Sequence, residues 1–485
     1  VPSADDRPPA RLEGLVVCAD VGSTFTKALL VDLDAPGGAT VVASAEHRTT
    51  VSTDVLDGYA ACVASLAEAD ARATTAPALA CSSAGGGLRI AVVGGEQLVT
   101  AEAGRRVALS SGGAVVCVVA AGAPAGLAAL PAELAAARAD VVLLTGGTDG
   151  GNRAVLVEAA TALVAAGWTG PVVVAGNAEA VPEVQGVLEA GGVPHVVAPN
   201  VVPRIGRLAP EGARAAVREV FLRHVIGGKG LSRSPAFAAM VRGATPDLVL
   251  GGVELLARGA GPDRPGVGDV VVVDVGGATT DVHSVVEPDP DTAFSGVDGL
   301  SRDVAGTTAV ARTVEGDLGM RWSAPTTVAA VAGGPHAVDR LADAAQVRQD
   351  DPGFLPTTPA DADDEEALAR AAVGEALRRH AGRARVVVGP GGRVVERSGT
   401  DLREVRLVVA SGGALRHGRP GVAGRVLAGS VGPDAGGGAG WQLPREARVV
   451  VDEVSLLAAA GLLRDLRPDA AYALVSRLAA VAVAS

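Results

Sequence analysis

Val270-Val271-Val272-Val273-Asp274-Val275-Gly276-Gly277-Ala278-Thr279-Thr280-Asp281 decides the fold. Four β-branched apolar residues in a row make a strand buried on both faces, and the strand opens into a tight, hydroxyl-rich turn. Glycines let the backbone approach an anion closely, and successive N–H groups in such turns form anion-binding nests. The flanking Asp274 suits a hydrated divalent cation, because Mg²⁺ prefers carboxylate and water oxygens. A second copy lies far upstream, where Leu15-Val16-Val17 runs into Asp20-Val21-Gly22-Ser23-Thr24. One strand ending in Asp-x-Gly-x-Thr is a common accident. Two copies predict a nucleotide held between two like-built lobes, with Asp20 and Asp274 facing each other across one triphosphate pocket.

The 485 residues are enough for two or more domains with sizeable cores. With 48% hydrophobic but only 2% aromatic residues, those cores must be built of Val, Leu and Ala. A net charge of −12 argues against a nucleic-acid partner, which calls for a basic face. Cys18, Cys62, Cys81 and Cys117 are scattered without a Cys-x-x-Cys pair, as expected of reduced thiols in a cytoplasmic protein. No uninterrupted apolar run reads as a membrane span. Residues 1–14 read as a disordered leader without a signal-peptide core.

Only Lys27 and Lys229 are lysines, against 40 arginines, and only Asn152, Asn177 and Asn200 are asparagines. Arginine does not replace lysine as a compact point charge, so Lys27, three residues past the first turn, is a candidate to offset phosphate charge. Chance survival of a codon bias is the alternative.

Outward from the turns, strands are expected at 15–18, 28–31 and 40–45, the first two joined as a hairpin, followed by a helix over 54–70. From 115 to 203 the pattern changes to βα repeats with strands at 115–119, 141–145, 172–175 and 196–198. This predicts an inserted parallel α/β layer over 111–205, with ligands expected at the strand C-termini. All three asparagines fall at those ends, marking a polar ligand contact or simply αL loop geometry. Further on, the acidic stretch 350–366 reads as a mobile surface segment, and strands resume at 386–388 and 407–410. The latter strand enters a third glycine turn, Ser411-Gly412-Gly413. The first two turns would hold the β/γ-phosphates and metal, the third an adenine and ribose. No Walker-type Gly-x-x-x-x-Gly-Lys-[Ser/Thr] is present.

The three turns together resemble the actin, Hsp70 and sugar-kinase superfamily of ATP-binding proteins. That resemblance implies an α/β, two-lobed actin/Hsp70-like ATPase fold with ribonuclease H-like lobes and the inserted parallel layer. Its lobes would cover 15–265 and 266–448, with C-terminal helices, 449–485, returning to the first. A closer resemblance rests on ordered blocks from residue 15 on. They begin with Asp20 to Lys27, Ala80 to Leu88, Thr145 to Asn152 and Ala175-Gly176-Asn177. They continue with Asn200 to Pro203, Lys229 to Ser232, Val273 to Ser284 and Arg312 to Arg321. These are similar to the glutamate-mutase accessory family, called MutL but unrelated to the mismatch-repair ATPase. Membership implies ATP and Mg²⁺ as cofactors, cobalamin-dependent mutase subunits as partners, and an ATP-driven reactivating role. Departures are Gly243-Ala244-Thr245-Pro246-Asp247, more polar than the apolar Thr-Pro segment of the family, and residues 301–308, where a Pro-Glu-Pro-like turn is usual.

In this scheme Asp20 and Asp274 organise metal and catalysis. Gly22, Ser23, Thr24, Gly276, Gly277, Thr279, Thr280 and Asp281 cradle phosphate beside Lys27, and Ser411, Gly412 and Gly413 take the adenosine. Glu315 is the third catalytic candidate. In Glu315-Gly316-Asp317 the turn either aims a carboxylate at Mg²⁺ or attacking water, or is a plain turn with solvated acids. His283 reads as a structural histidine rather than a cobalt or partner contact, and Cys81 as a buried, inert thiol. ATP would close the lobes and hydrolysis reopen them. The rivals are a small-molecule kinase on the same fold and a non-catalytic, ATP-binding scaffold. A 2-hydroxyacyl dehydratase activator lacks its cysteine pair here.

Overall fold

A computed structural model describes residues 12–95, 100–123, 126–287, 308–332, 341–389, 392–435 and 440–484. Most of the expected leader and residues 301–307 lie outside this set. The chain divides into two compact units and passes between them at four places. Val1–Gly86, Lys229–Val267 and Asp452–Ser485 form the first; Gly87–Gly228 and Gly268–Val451 form the second.

In chain order the strands are β1 (Leu15–Val21), β2 (Phe25–Asp32), β3 (Thr40–Arg48), β4 (Ala78–Ser82), β5 (Leu88–Gly94), β6 (Gly113–Ala120), β7 (Val141–Leu144), β8 (Val172–Val174), β9 (His195–Val197) and β10 (Val241–Ala244). They continue with β11 (Gly259–Gly261), β12 (Arg264–Pro265), β13 (Val270–Val275), β14 (Thr280–Val285), β15 (Val310–Glu315), β16 (Ala384–Gly389), β17 (Gly392–Arg397), β18 (Leu407–Ser411) and β19 (Arg448–Val451).

The first unit holds one five-stranded sheet in the order β3-β2-β1-β4-β10. The chain makes an antiparallel meander of three strands, then adds two parallel strands on the other side of β1. The second unit repeats this path in the order β15-β14-β13-β18-β19, again with three antiparallel strands followed by two parallel ones beside the first. The valines 270–273 of β13 are fully buried, because this strand is central and covered on both faces. Two sheets of one topology, each begun by the same hairpin, are the duplicated ribonuclease H-like lobes of the actin/Hsp70-like ATPase fold.

The parallel layer belongs to the second unit and has the order β6-β5-β7-β8-β9, every pair parallel. Its strands match the predicted runs within two residues, and β5, ahead of the expected 111 boundary, is its second strand from the edge. The layer has its own apolar core of Val, Leu and Ala around Val142, Leu144, Leu156 and Leu163. Hydrophobic runs bounded by glycine turns suffice to specify it.

In the first unit the helices Thr245–Arg258 and Leu456–Leu463 cross closely. A Cβ on Gly461 would collide with the carbonyl oxygen of Leu248, so the crossing needs a residue without a side chain. Among the described residues no helix is long and apolar enough to cross a membrane.

The acidic stretch 350–366 is not a loose surface segment over its second half. Residues from Pro359 on form a 23-residue helix, Pro359–Ala381, opened by a reciprocal capping box of Thr358 and Asp361. Glu365 bonds Arg321 and Arg348 at 2.8 Å each, and Glu366 receives Arg419 and Arg425. Composition suggested a mobile surface segment. Long-range arginines make these two carboxylates part of the core boundary, and they hold Glu366 down to about 2.

Candidate functional site

Both expected phosphate turns are built alike. The Gly22 N–H donates to the Phe25 carbonyl at 3.1 Å, and the Gly276 N–H donates to the Thr279 carbonyl at 2.8 Å. Register makes the equivalence complete. Asp20 lies opposite Lys27 and Val21 opposite Thr26, while Asp274 lies opposite Asp281 and Val275 opposite Thr280. On the parallel side Asp20 pairs with Cys81 and Asp274 with Ser411. Residues directly opposite share a face of the sheet, so each unit carries a polar row across it beside its turn.

In the first unit the Thr245 hydroxyl donates to Asp20 Oδ1 at 2.7 Å, and the Cys81 thiol lies 3.6 Å from the same oxygen. Burial, with the Asp20 charge second, pushes the Cys81 thiol well above the usual range. It is therefore a poor nucleophile, as the apolar strand around it predicts. Thr49 donates to the Gly22 carbonyl at 2.8 Å and its N–H to the Thr24 carbonyl, bracing the turn from behind. The hydroxyl of Thr24 is buried with no hydrogen-bond partner. Lys27 stands between Asp20 and Glu46 in register.

In the second unit the turn rests on the segment after β15. The N–H groups of Met320 and Arg321 donate to the carbonyls of Gly276 and Gly277. The Thr280 side chain is wholly buried and donates to the Leu318 carbonyl at 2.9 Å. This corrects its expected role as a phosphate hydroxyl, because a core hydroxyl satisfied by a carbonyl shapes the turn and does not reach a ligand. Thr279 bonds Asp281 at 3.3 Å, and the Asp281 carboxylate is held by Arg312 at 2.5 and 2.9 Å.

The third turn lies against the second. Gly412 has φ +104°, and a Cβ there would collide with the Val275 carbonyl immediately before Gly276. Gly413 then begins a short helix, Gly413–Arg416. Ser411 and Gly412 thus lie against Asp274 and Val275, at the strand end that leads into Gly276.

Glu315 lies opposite Thr280 in register and accepts from Arg379 at 2.8 Å; Asp317 accepts from both terminal nitrogens of the same guanidinium at 2.8 and 2.9 Å. Burial raises Glu315 against the pull of Arg379, whereas hydrogen bonding to Arg379 lowers Asp317. The two acids of one turn are therefore pushed in opposite directions, Glu315 upward and Asp317 downward.

Each unit offers, beside its glycine turn, one carboxylate of the hard-oxygen kind that a hydrated Mg²⁺ takes, Asp20 in the first and Asp274 in the second, and the first turn adds the orphan Thr24 hydroxyl. Such an ion keeps most of its waters and needs only one or two carboxylates. Among the described residues no group of three or more His, Cys, Asp or Glu forms a ready-made cage for a metal.

The asparagines have structural work. Asn200 donates to the Gly147 carbonyl and to Asp149, Asn177 to the carbonyls of Gly151 and Asn152, and Asn152 accepts from the Ala154 N–H. They hold the 145–152 loop in shape through side-chain hydrogen bonds, and none of the three has the αL backbone that the loop alternative supposed. His283 is buried on β14, and burial, aided by Arg312 and His380, pushes its imidazole well below the usual range. Sequence reasoning passed over Thr245, Arg312 and Arg379. Thr245 stands in the Thr-Pro pair that opens the Thr245–Arg258 helix, and nothing local in the sequence ties its hydroxyl to Asp20, 225 positions away.

The family model for MutL protein matches residues 16–478. Protein MutL of Clostridium tetanomorphum is 33% identical over 475 residues, covering 94% of this chain and 97% of its own length. Similar solved structures include the ethanolamine utilization protein EutJ from Carboxydothermus hydrogenoformans, at 12% identity over 96% of this chain and 92% of that one, TM-score 0.26. Xylulose kinase from Bifidobacterium adolescentis is 13% identical over 96% of this chain and 93% of that one, TM-score 0.29. At such scores neither carries an argument, and the fold rests on the duplicated sheet. The relative's third of identical positions, spread over nearly both whole lengths, decides the family: this chain belongs to the MutL proteins of the glutamate-mutase accessory type.

Proposed function

We propose that this ATPase-fold accessory protein binds and hydrolyses Mg²⁺-ATP and uses the cycle to reactivate an adenosylcobalamin-dependent mutase. The observation that carries the reading is the repeat of one Asp-ended strand and one glycine turn at the same point of two sheets of the same topology. Asp20 and Asp274 hold the hydrated metal, which neutralises charge developing on the phosphates. Backbone N–H groups of Ser23, Thr24, Gly277 and Thr279 cradle the phosphate oxygens, Gly22 and Gly276 close the two turns with their own N–H groups and let the phosphates approach the backbone, and Lys27 acts as a point charge. Thr280 and Asp281 support the second turn, and Ser411, Gly412 and Gly413 let the nucleoside lie against backbone. Glu315, raised by burial, orients the attacking water. ATP shifts the partner equilibrium only by the difference in its affinity for two states of the protein. Family membership supports the mutase as partner, and the work is done where the mutase is found.

Titration calorimetry with Mg²⁺-ATP tests the shared site: one nucleotide per chain is expected, with binding lost in both Asp20→Asn and Asp274→Asn. Two nucleotides per chain, or full hydrolysis by Asp274→Asn, overturns the assignment. Mutase carrying an inactive cobalamin should release it only with the chain and ATP together.

A further inference from the structure

Arg312 on β15 is 5% exposed and makes two kinds of bond. Its Nε and Nη2 donate to Asp281 Oδ1 at 2.9 and 2.5 Å, while Nη1 donates to the carbonyls of Leu109 and Gly113 at 2.9 and 3.0 Å. Leu109 lies in the last turn of the helix Glu102–Ser110, and Gly113 is the first residue of β6. One guanidinium therefore ties the second phosphate hairpin to the corner where the parallel layer turns from helix into edge strand. Carbonyls at a helix C-terminus carry partial negative charge, and the planar fork of arginine meets two acceptors at once as lysine does not.

The need for this cation follows from the internal repeat. Asp274 and Asp281 are directly opposite across β13 and β14, and like charges in that relation repel. In the other hairpin the position of Asp281 is occupied by Lys27, opposite Asp20. Arg312 supplies to the second hairpin the positive charge that Lys27 supplies to the first, but from the neighbouring strand and while holding the layer. A divalent cation near Asp274 would relieve the repulsion and oppose the guanidinium, weakening the grip of Asp281 on Arg312.

We infer that Arg312 is a positioning residue that carries the charge state of the second phosphate turn to the corner at Leu109 and Gly113. The link between hairpin and corner is independent of any ligand; its response to nucleotide rests on the proposed Mg²⁺-ATP site. Hydrogen–deuterium exchange of the full chain, read on peptides covering residues 105–120, tests both. Without nucleotide, Asp281→Asn speeds exchange at the corner at least three-fold; unchanged rates in a variant that melts like the wild type overturn the link. With Mg²⁺ and the non-hydrolysable analogue AMP-PNP, wild-type exchange at the corner changes at least three-fold. In Arg312→Lys that response disappears while nucleotide still protects residues 276–280. A bound nucleotide without effect on the wild-type corner, or a response kept in Arg312→Lys, overturns the inference. If the wild type binds no nucleotide, the proposed function falls and the Asp281→Asn comparison alone decides the link.

Discussion

The Thr245 hydroxyl donates to Asp20 over 2.7 Å, so the first residue of the Thr245–Arg258 helix orients the carboxylate beside the first phosphate turn. Hydrogen bonds to charged groups contribute about 1.5–3 kcal/mol. Asp20 is only half-buried and water partly replaces the bond, which puts the effect near the lower end. Thr245→Val should weaken Mg²⁺-ATP binding roughly ten-fold, about 1.4 kcal/mol, and Thr245→Ser should restore it. Calorimetry on the three proteins checks this; equal affinities contradict a role for Thr245 at the site.

Gly412→Ala sets a Cβ against the Val275 carbonyl at a φ of +104°. Steric conflict with backbone and a left-handed conformation act together, and on the order of 2–3 kcal/mol of stability should go. The strain falls on the strand end next to Gly276, so nucleotide binding should drop in parallel with the urea midpoint. A variant with unchanged midpoint speaks against the close approach.

Arg379 neutralises both Glu315 and Asp317. Removing it in Arg379→Gln leaves the burial that raises Glu315 unopposed, so Glu315 should hold its proton to a higher pH. If its ionised form orients water, the acid limb of the ATP hydrolysis profile moves upward in this variant, and Glu315→Gln flattens it. An acid limb that stays in place removes Glu315 from the chemistry.

His380 bonds Ser284 at 2.7 Å and Thr313 at 3.1 Å inside the second unit, and burial lowers it from 6.5 to about 4. Between those values the unfolded chain binds a proton that the folded chain refuses. Stability from neutral His380 is thus complete above pH 6.5 and is lost as pH falls toward 4. At 1.36 kcal/mol per unit the loss is about 3 kcal/mol. Urea unfolding across this window should show the slope, and His380→Gln should reduce it.

The sequence displays the turns because glycine, aspartate and hydroxyl residues are needed at fixed short spacings, and the layer because valine runs alternate with helix-length segments. The equivalent strand-end placing of Asp20 and Asp274 was legible for that reason. Thr280 was misjudged because a hydroxyl beside a glycine turn looks the same whether it faces a ligand or, as here, the Leu318 carbonyl. Arg312 and Arg379 were invisible: each acts on a carboxylate 31 to 64 positions away, a distance at which local pattern carries nothing. The acidic stretch misled likewise, since the arginines that bury Glu365 and Glu366 come from 321, 348, 419 and 425.

The interleaving of the two units governs how the protein is born. β10, which closes the open edge of β4, is translated about 160 residues after Ser82 (241 minus 82), and the Leu456–Leu463 helix that packs on β1 and β4 comes later still. At about 5–20 residues per second, a nascent chain carries that unpaired strand for roughly 8–30 s outside the ribosome. An exposed apolar edge recruits other strands, so amino-terminal fragments that end before β10 should aggregate where the full chain does not.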